Sequence, residues 1–324
     1  MRRHHALVGI AIILLVSLAG CGKPTSDLTS IALPMGYVAN VQFSPFYVAQ
    51  EKGYFTDAGF DVTFDYRWET DGIQLVAAGE IPFSIASGDQ VIQARSQGLP
   101  VVAVAGWYQT FPVGLIALEG VPLDRPEDLR GLRIGIPETF GASYIGLRAL
   151  LDVAGLTEDD IDLQAIGYAQ LAALTAGTVD AVVVYANNEP VVLAQEGTTF
   201  NEIYAADYLN LVSAVIVSSD AHIAADPEGT RQFVQAFLRG LGDVLADPDA
   251  AFETCLAFVE GLEDHRDVQR AVLEASIELW EAPHLGVMSD AAWEQAQNVM
   301  AEAGLIETIS PVDRLFTNEF VNDD

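Results

Sequence analysis

The chain is 324 residues long and 51% apolar, and it carries 46 acidic against 15 basic side chains for a formal charge of −31. Such a surface repels phosphates, so nucleic acid, anionic headgroups and polyanionic ligands are disfavoured as partners, although an acid excess also serves plain solubility. The length is enough for two lobes with a core each, and two cysteines alone, Cys21 and Cys255, rule out a disulfide framework.

At the start of the chain, Arg2 and Arg3 precede an apolar run from Ala6 to Ala19 that closes on Leu18-Ala19-Gly20-Cys21. The run is short for a bilayer span, and small residues before a cysteine suit a signal peptidase that cuts ahead of a lipidated residue. Residues 1–20 are therefore expected to be an export signal, with Cys21 as the lipidated first residue of the mature protein on the outer face of the cell membrane. A diacylglycerol on the thiol with a further acyl group on the amine gives stable attachment. Residues 21–30, which contain Pro24, read as a tether.

Short apolar runs then alternate with helical patterns, the signature of βαβ units and parallel sheets. Strands are expected at Ile31–Val38, Phe60–Trp68, Pro82–Ala86 and Val101–Trp107. Helices are expected from Ser44-Pro45 to Gly53, over Asp71–Ala78 and over Asp89–Gln97. A second unit begins near Pro126, with strands at Arg133–Ile136, Asp162–Gly167 and Ala181–Tyr185 and a helix opening at Gly141. Crossings between lobes are expected near Val113–Leu118 and Val212–Val217, which places 31–115 plus 217–324 in lobe 1 and 116–216 in lobe 2. From Asp220 onward the pattern is helical; Asp226-Pro227 opens a helix with Phe233, Phe237, Leu241 and Val244 on one face. Trp280 and Trp293 fall in this tail as packing residues, and Cys255 reads as a buried core thiol.

Open α/β sheets bind ligands outside the carboxyl ends of their strands. Trp68, Trp107, Tyr108, Phe140, Tyr144, Tyr168 and Tyr185 lie at or just past such ends. Stacked aromatic faces suit a planar heterocycle, and the polar residues Asn40, Gln42, Ser87, Glu138, Ser143, Asn187, Asn188 and Glu189 at the same ends can fix its orientation. Catalytic signatures are missing: there is no Walker A loop, no nucleophile elbow around Ser143, and His222, His265 and His284 lack metal-ligand spacing. Neither a catalytic residue, a metal site nor a resident cofactor is expected.

The run Gly36-Tyr37-Val38-Ala39-Asn40-Val41-Gln42-Phe43-Ser44-Pro45-Phe46-Tyr47, continuing to Gly53-Tyr54-Phe55, resembles the opening of periplasmic substrate-binding proteins related to thiamine-pyrimidine synthases. Gly98-Leu99-Pro100 and Gly177-Thr178-Val179-Asp180 extend the match through about residue 200. The resemblance implies two α/β lobes of the periplasmic-binding-protein type II fold with a hinge and a helical C-terminal region, and an ABC importer permease as partner. Three branches of that family are distinct. The eukaryotic-type synthases carry a cysteine-rich motif that is absent here. A second branch binds thiamine pyrimidine precursors of the hydroxymethylpyrimidine or formylaminopyrimidine type. The third binds riboflavin for uptake, and Gly106-Trp107-Tyr108-Gln109, Phe140-Gly141-Ala142-Ser143-Tyr144 and Val184-Tyr185-Ala186-Asn187-Asn188-Glu189 resemble it more. The residues themselves specify only a neutral planar ligand; the vitamin is what the resemblance implies.

Overall fold

The computed structural model describes residues 28–322. The expected signal segment 1–20, Cys21 and most of the 21–30 tether lie outside the described residues. The strands are β1 (Thr29–Gly36), β2 (Phe60–Trp68), β3 (Ser84–Ser87), β4 (Val101–Gly106), β5 (Val113–Leu118), β6 (Arg133–Ile136), β7 (Asp162–Ala165), β8 (Ala181–Tyr185), β9 (Phe200–Tyr204) and β10 (Ala214–Ser219).

Each lobe is built on one sheet plan. In the first, β2 and β1 pair in parallel, β10 lies between β3 and β4 antiparallel to both, and β1 runs beside β3. In the second the order is β7-β6-β8-β5-β9, and β5 is antiparallel to both of its neighbours. Every residue of β3 and β4 is buried, as strands covered on both faces are; β4 is apolar throughout, and β3 has serines at its two ends.

The expected parallel sheets are thus each interrupted by one strand. Val113–Leu118, read as a crossing, is the full strand β5, and the second crossing region becomes strand β10 from Ala214 onward. Both strands carry the chain in from the other lobe, which makes them run against the βαβ strands they join. The segments between the sheets are therefore 107–112 and 205–213, and the boundaries expected at 115/116 and 216/217 fall inside strands. Strand β9 has no counterpart among the expected elements. Its sequence Phe-Asn-Glu-Ile-Tyr is a half-exposed edge with no apolar run to mark it.

The helical tail fills out the first lobe. Helix Pro227–Ala246 is capped by Asp226, whose carboxylate accepts from the Gly229 amide at 2.9 Å, and it buries Phe233, Phe237, Leu241 and Val244. Phe233 stacks on Phe83 with centroids 4.1 Å apart and Phe237 lies 4.6 Å from Phe46, burials that stabilise by roughly 1.5–3 kcal/mol each. A Cβ on Gly240 would sit 2.2 Å from the Pro45 carbonyl oxygen, so glycine is what lets this helix cross helix Ser44–Glu51 so closely. Trp280 and Trp293 are fully buried, Trp293 stacking on Phe316 at 5.5 Å. Helix Asp290–Glu302 also touches Gly88–Ser96 of the first lobe and Gly141–Val153 of the second.

Candidate ligand-binding site

The carboxyl ends of both sets of strands converge on one cleft holding about 980 Å³ of space, part of it open to solvent. The first lobe contributes Gly36 and Tyr37 at the end of β1, Gln42 and Phe43 in the next turn, Trp68 and Glu69 at the end of β2, Gln90 in the helix after β3, and Trp107 and Tyr108 after β4. The second contributes Glu138, Phe140 and Ser143 after β6, Tyr168 and Gln170 after β7, and Tyr185, Asn188 and Glu189 around the end of β8. Gly36 has φ of 78° and a Cβ there would meet Glu69 Cγ at 2.6 Å, so the turn that ends β1 and the wall carrying Glu69 both need glycine.

Gln42, Trp68, Trp107, Tyr108, Glu138, Phe140, Ser143, Tyr168, Tyr185, Asn188 and Glu189 line this cleft, as their positions in the sequence suggest. Asn40, Ser87 and Tyr144 do not. The Asn40 side chain accepts from the Gln42 amide at 3.0 Å and caps the turn Val41–Phe43, so it sets where Gln42 sits. Ser87 is buried and donates to Glu69 Oε2 at 2.7 Å from behind the wall. The Tyr144 hydroxyl donates to Glu158 beside Arg148, whose guanidinium binds the same carboxylate at 2.6 Å, so its polar end is engaged within the second lobe. Asn187, one residue before the cleft, is fully buried.

The aromatic residues divide by exposure. Trp107 is 3% exposed, packed among Phe43, Phe46, Tyr108 and Trp280 with centroids 5.0–5.9 Å away, and presents only part of its surface to the cleft. Trp68, Phe140 and Tyr168 are 44–48% exposed. Trp68 stacks on Tyr168 at 6.0 Å and 18°, and Phe140 meets the Trp68 edge at 6.3 Å. Tyr37 meets Tyr168 edge-on at 5.2 Å. The free aromatic faces therefore stand at the junction of the lobes rather than on the first-lobe floor.

Among the described residues no lysine, arginine or histidine lines the cleft, and Glu69, Glu138 and Glu189 do. Loss of solvent, with Asp89 and Glu138 nearby, pushes the Glu69 carboxyl up to about 7 against the opposing bond from Ser87. Glu189 is likewise pushed up to about 7 by desolvation, although it accepts from the Tyr185 amide at 3.2 Å and from Gln170 Nε2 at 3.1 Å. Desolvation also raises Glu138 and the buried Asp89. The site offers hydrogen-bond acceptors for N–H or O–H groups, faces for a flat ring, and nothing to neutralise an anion.

Tyr37, Phe43, Glu69, Gln90 and Gln170 line the cleft but were not singled out from the sequence. Tyr37 and Phe43 stand within the opening motif, and Glu69 follows Trp68 at a strand end, so the positional rule that selected Trp68 extends to them. Gln90 and Gln170 lie inside helices and carry no such mark.

The family profile described as NMT1/THI5 like matches residues 40–251. The chain is 40% identical over 345 aligned positions to the riboflavin-binding protein RibY of Chloroflexus aurantiacus, an alignment covering 99% of this chain and 98% of that protein. It is 29% identical to the formylaminopyrimidine-binding protein of Halalkalibacterium halodurans, with 88% and 89% covered. Among solved structures, the periplasmic aliphatic sulphonate binding protein SsuA from Escherichia coli superimposes with a TM-score of 0.71 at 14% identity, covering 89% of this chain and 91% of that one. That likeness is one of fold.

Proposed function

The chain belongs to the NMT1/THI5-like family, and from that premise we propose that it is the extracytoplasmic substrate-binding component of an ABC importer whose cargo is riboflavin. The observation that carries this reading is the cleft between the lobes, where Trp68, Phe140 and Tyr168 present open ring faces and no cation is found among the lining residues. A tricyclic ring that is uncharged at neutral pH fits such walls, and its ribityl hydroxyls and ring N–H find acceptors in Glu69, Glu138 and Glu189. The riboflavin-binding relative aligned over nearly the whole chain supports the choice of ring.

The mechanism follows from the hinge. The ring binds against one lobe, the other closes over it, and the closed form docks on the permease; closure is driven by contacts the ligand makes only in the closed state. The cargo leaves chemically unchanged. Cys21 holds the protein at the outer face of the membrane through its lipid.

A second reading is a thiamine pyrimidine precursor, favoured by the same carboxylates, which suit the exocyclic amine of an aminopyrimidine. Titration of riboflavin decides between them: its visible emission should be quenched as the ring stacks on Trp or Tyr, and the recovered flavin should be unaltered by chromatography. Absence of quenching and of heat with riboflavin, together with calorimetric binding of a formylaminopyrimidine, would move the assignment to the pyrimidine. Turnover of either compound would move it to an enzyme.

A further inference from the structure

A buried chain of hydrogen bonds ends at the cleft and runs in a consistent order of donors and acceptors. Ser276, inside helix Arg266–Trp280, donates its single hydroxyl proton to the Val272 carbonyl oxygen at 2.6 Å, so toward Asn187 it can only accept. Asn187 Nδ2, 2.7 Å away, is therefore the donor, and its second hydrogen goes to the Tyr108 hydroxyl oxygen at 3.1 Å. Tyr108 is then left to donate to Gln42 Oε1 at 3.0 Å. Asn187 and Ser276 are fully buried, and Tyr108 and Gln42 are 7% and 8% exposed, so water does not scramble the order. The arrangement leaves Asn187 Oδ1 buried without a donor, a cost that packing alone does not call for.

With its oxygen held from behind, Gln42 has only its amide nitrogen to offer, and among the described residues no protein acceptor is found for it. We infer that Gln42 reads a hydrogen-bond acceptor on the ligand ring, a carbonyl oxygen or an imine-type nitrogen, and that Tyr108, Asn187 and Ser276 are positioning residues that hold the amide with its nitrogen toward the cleft. The chain of bonds joins the first lobe, the 107–112 segment, the second lobe and the helical tail, so the orientation is fixed by all the parts that enclose the ligand. Ionised glutamates around the cleft can only accept, whereas the Gln42 amide nitrogen donates at every pH.

This inference rests on the cleft being the ligand site, and it deepens that reading by naming what the ring must present. The test is a cycle between protein and ligand variants. Calorimetry would compare riboflavin with its 2-thio, 4-thio and 5-deaza analogues, each of which weakens one ring acceptor, on the wild type, Gln42→Met and Tyr108→Phe, with thermal unfolding confirming that each variant is folded. Gln42→Met should bind riboflavin about tenfold more weakly, the loss of one neutral hydrogen bond. One analogue should lose a similar factor on the wild type and nothing further on Gln42→Met. Tyr108→Phe should shrink that discrimination, because the amide is then free to turn. If Gln42→Met unfolds, Gln42→Glu, which keeps the shape and has no donor once ionised, takes its place with all titrations run at pH 9. Equal losses for every analogue on wild type and variant would overturn the inference and reduce Gln42 to a packing residue. If the wild type binds no flavin, the riboflavin assignment fails by itself. The same cycle with a formylaminopyrimidine and its deformylated amine then decides the role of Gln42, with the formyl preference expected only where Gln42 is present.

Discussion

Trp68 and Tyr168 lie nearly parallel, 18° apart with centroids 6.0 Å from one another, although one ends β2 of the first sheet and the other follows β7 of the second. Centroid separations of 4.5–7 Å describe rings in direct contact, so a planar ligand seated between these two has to separate them, and the lobes are what move. The stack is thus a contact between lobes and an open platform at once, which the half-exposure of both rings reflects.

The first prediction separates platform from floor. Trp68→Ala should weaken ligand binding by about 1–3 kcal/mol while leaving unfolding nearly unchanged, because the ring is 46% exposed. Trp107→Ala should instead cost about 3–5 kcal/mol of stability, since it empties a site enclosed by Phe43, Phe46, Tyr108 and Trp280. Urea unfolding beside flavin titration distinguishes the two. Unchanged flavin quenching by Trp68→Ala would remove that ring from the site.

The pH dependence of stability should carry the mark of the buried carboxyls. Glu69 and Glu189 are both held up near 7, above the ordinary 4.5, so between these values the folded chain binds more protons than the unfolded chain. By linkage their contribution makes stability fall as pH rises from about 4.5 to 7, and the penalty is complete above that window. Glu69→Gln should therefore raise Tm relative to the wild type at pH 8 and give little gain at pH 4.5. The comparison is made variant against wild type at each pH, because the many exposed acids titrate in both. A Tm gain that is the same at both pH values would mean that Glu69 is not held protonated near neutrality.

The strands that form each βαβ unit were legible because buried runs such as Val101–Gly106 and Ala181–Tyr185 are apolar throughout. The cleft lining was legible because ligands collect at their carboxyl ends. What sequence alone does not carry is which sheet a strand joins: Val113–Leu118 reads the same whether it is a link or the antiparallel strand β5. Nor does it show which aromatic ring is closed in. Trp107 and Trp68 both stand at strand ends, and it is packing by Phe43, Phe46 and Tyr108 together with Trp280 of the helical tail that covers the first. Tyr144 shows the same limit, since its position fits the cleft while Arg148, one helical turn on, and Glu158, just past the same helix, hold its hydroxyl elsewhere.

A phosphorylated ligand should be rejected. Riboflavin phosphate has to place a dianion in a cleft lined by Glu69, Glu138 and Glu189 with no cation among the lining residues, where the lost hydration is not replaced. We expect binding at least about tenfold weaker than for riboflavin, narrowing as pH falls toward 5 and the carboxyls protonate. Competition of the phosphate ester against riboflavin at pH 8 and pH 5.5 measures both effects. Equal affinity at the two pH values would mean that the phosphate stays outside the cleft.

The two cysteines should behave as opposites. Cys255 ends helix Pro248–Cys255, is fully buried in the first-lobe core, and burial pushes its thiol up to about 12. A thiol attacks the reagent as its thiolate and only where reagent reaches it, so native protein should leave Cys255 unmodified by a disulfide-exchange reagent at pH 8, and labelling should follow the urea unfolding transition. Cys21 lies outside the described residues, and its role is read from Leu18-Ala19-Gly20-Cys21. Cys21→Ser should abolish incorporation of labelled fatty acid and release the protein from the membrane, without moving the unfolding midpoint or ligand affinity. The pairing makes the experiment self-controlled: with Cys21 changed to serine, Cys255 is the remaining thiol, and any labelling under native conditions reports opening of the first lobe. Rapid native labelling of that variant would show that Cys255 is reached without global unfolding, and membrane retention of Cys21→Ser would show that the anchor lies elsewhere.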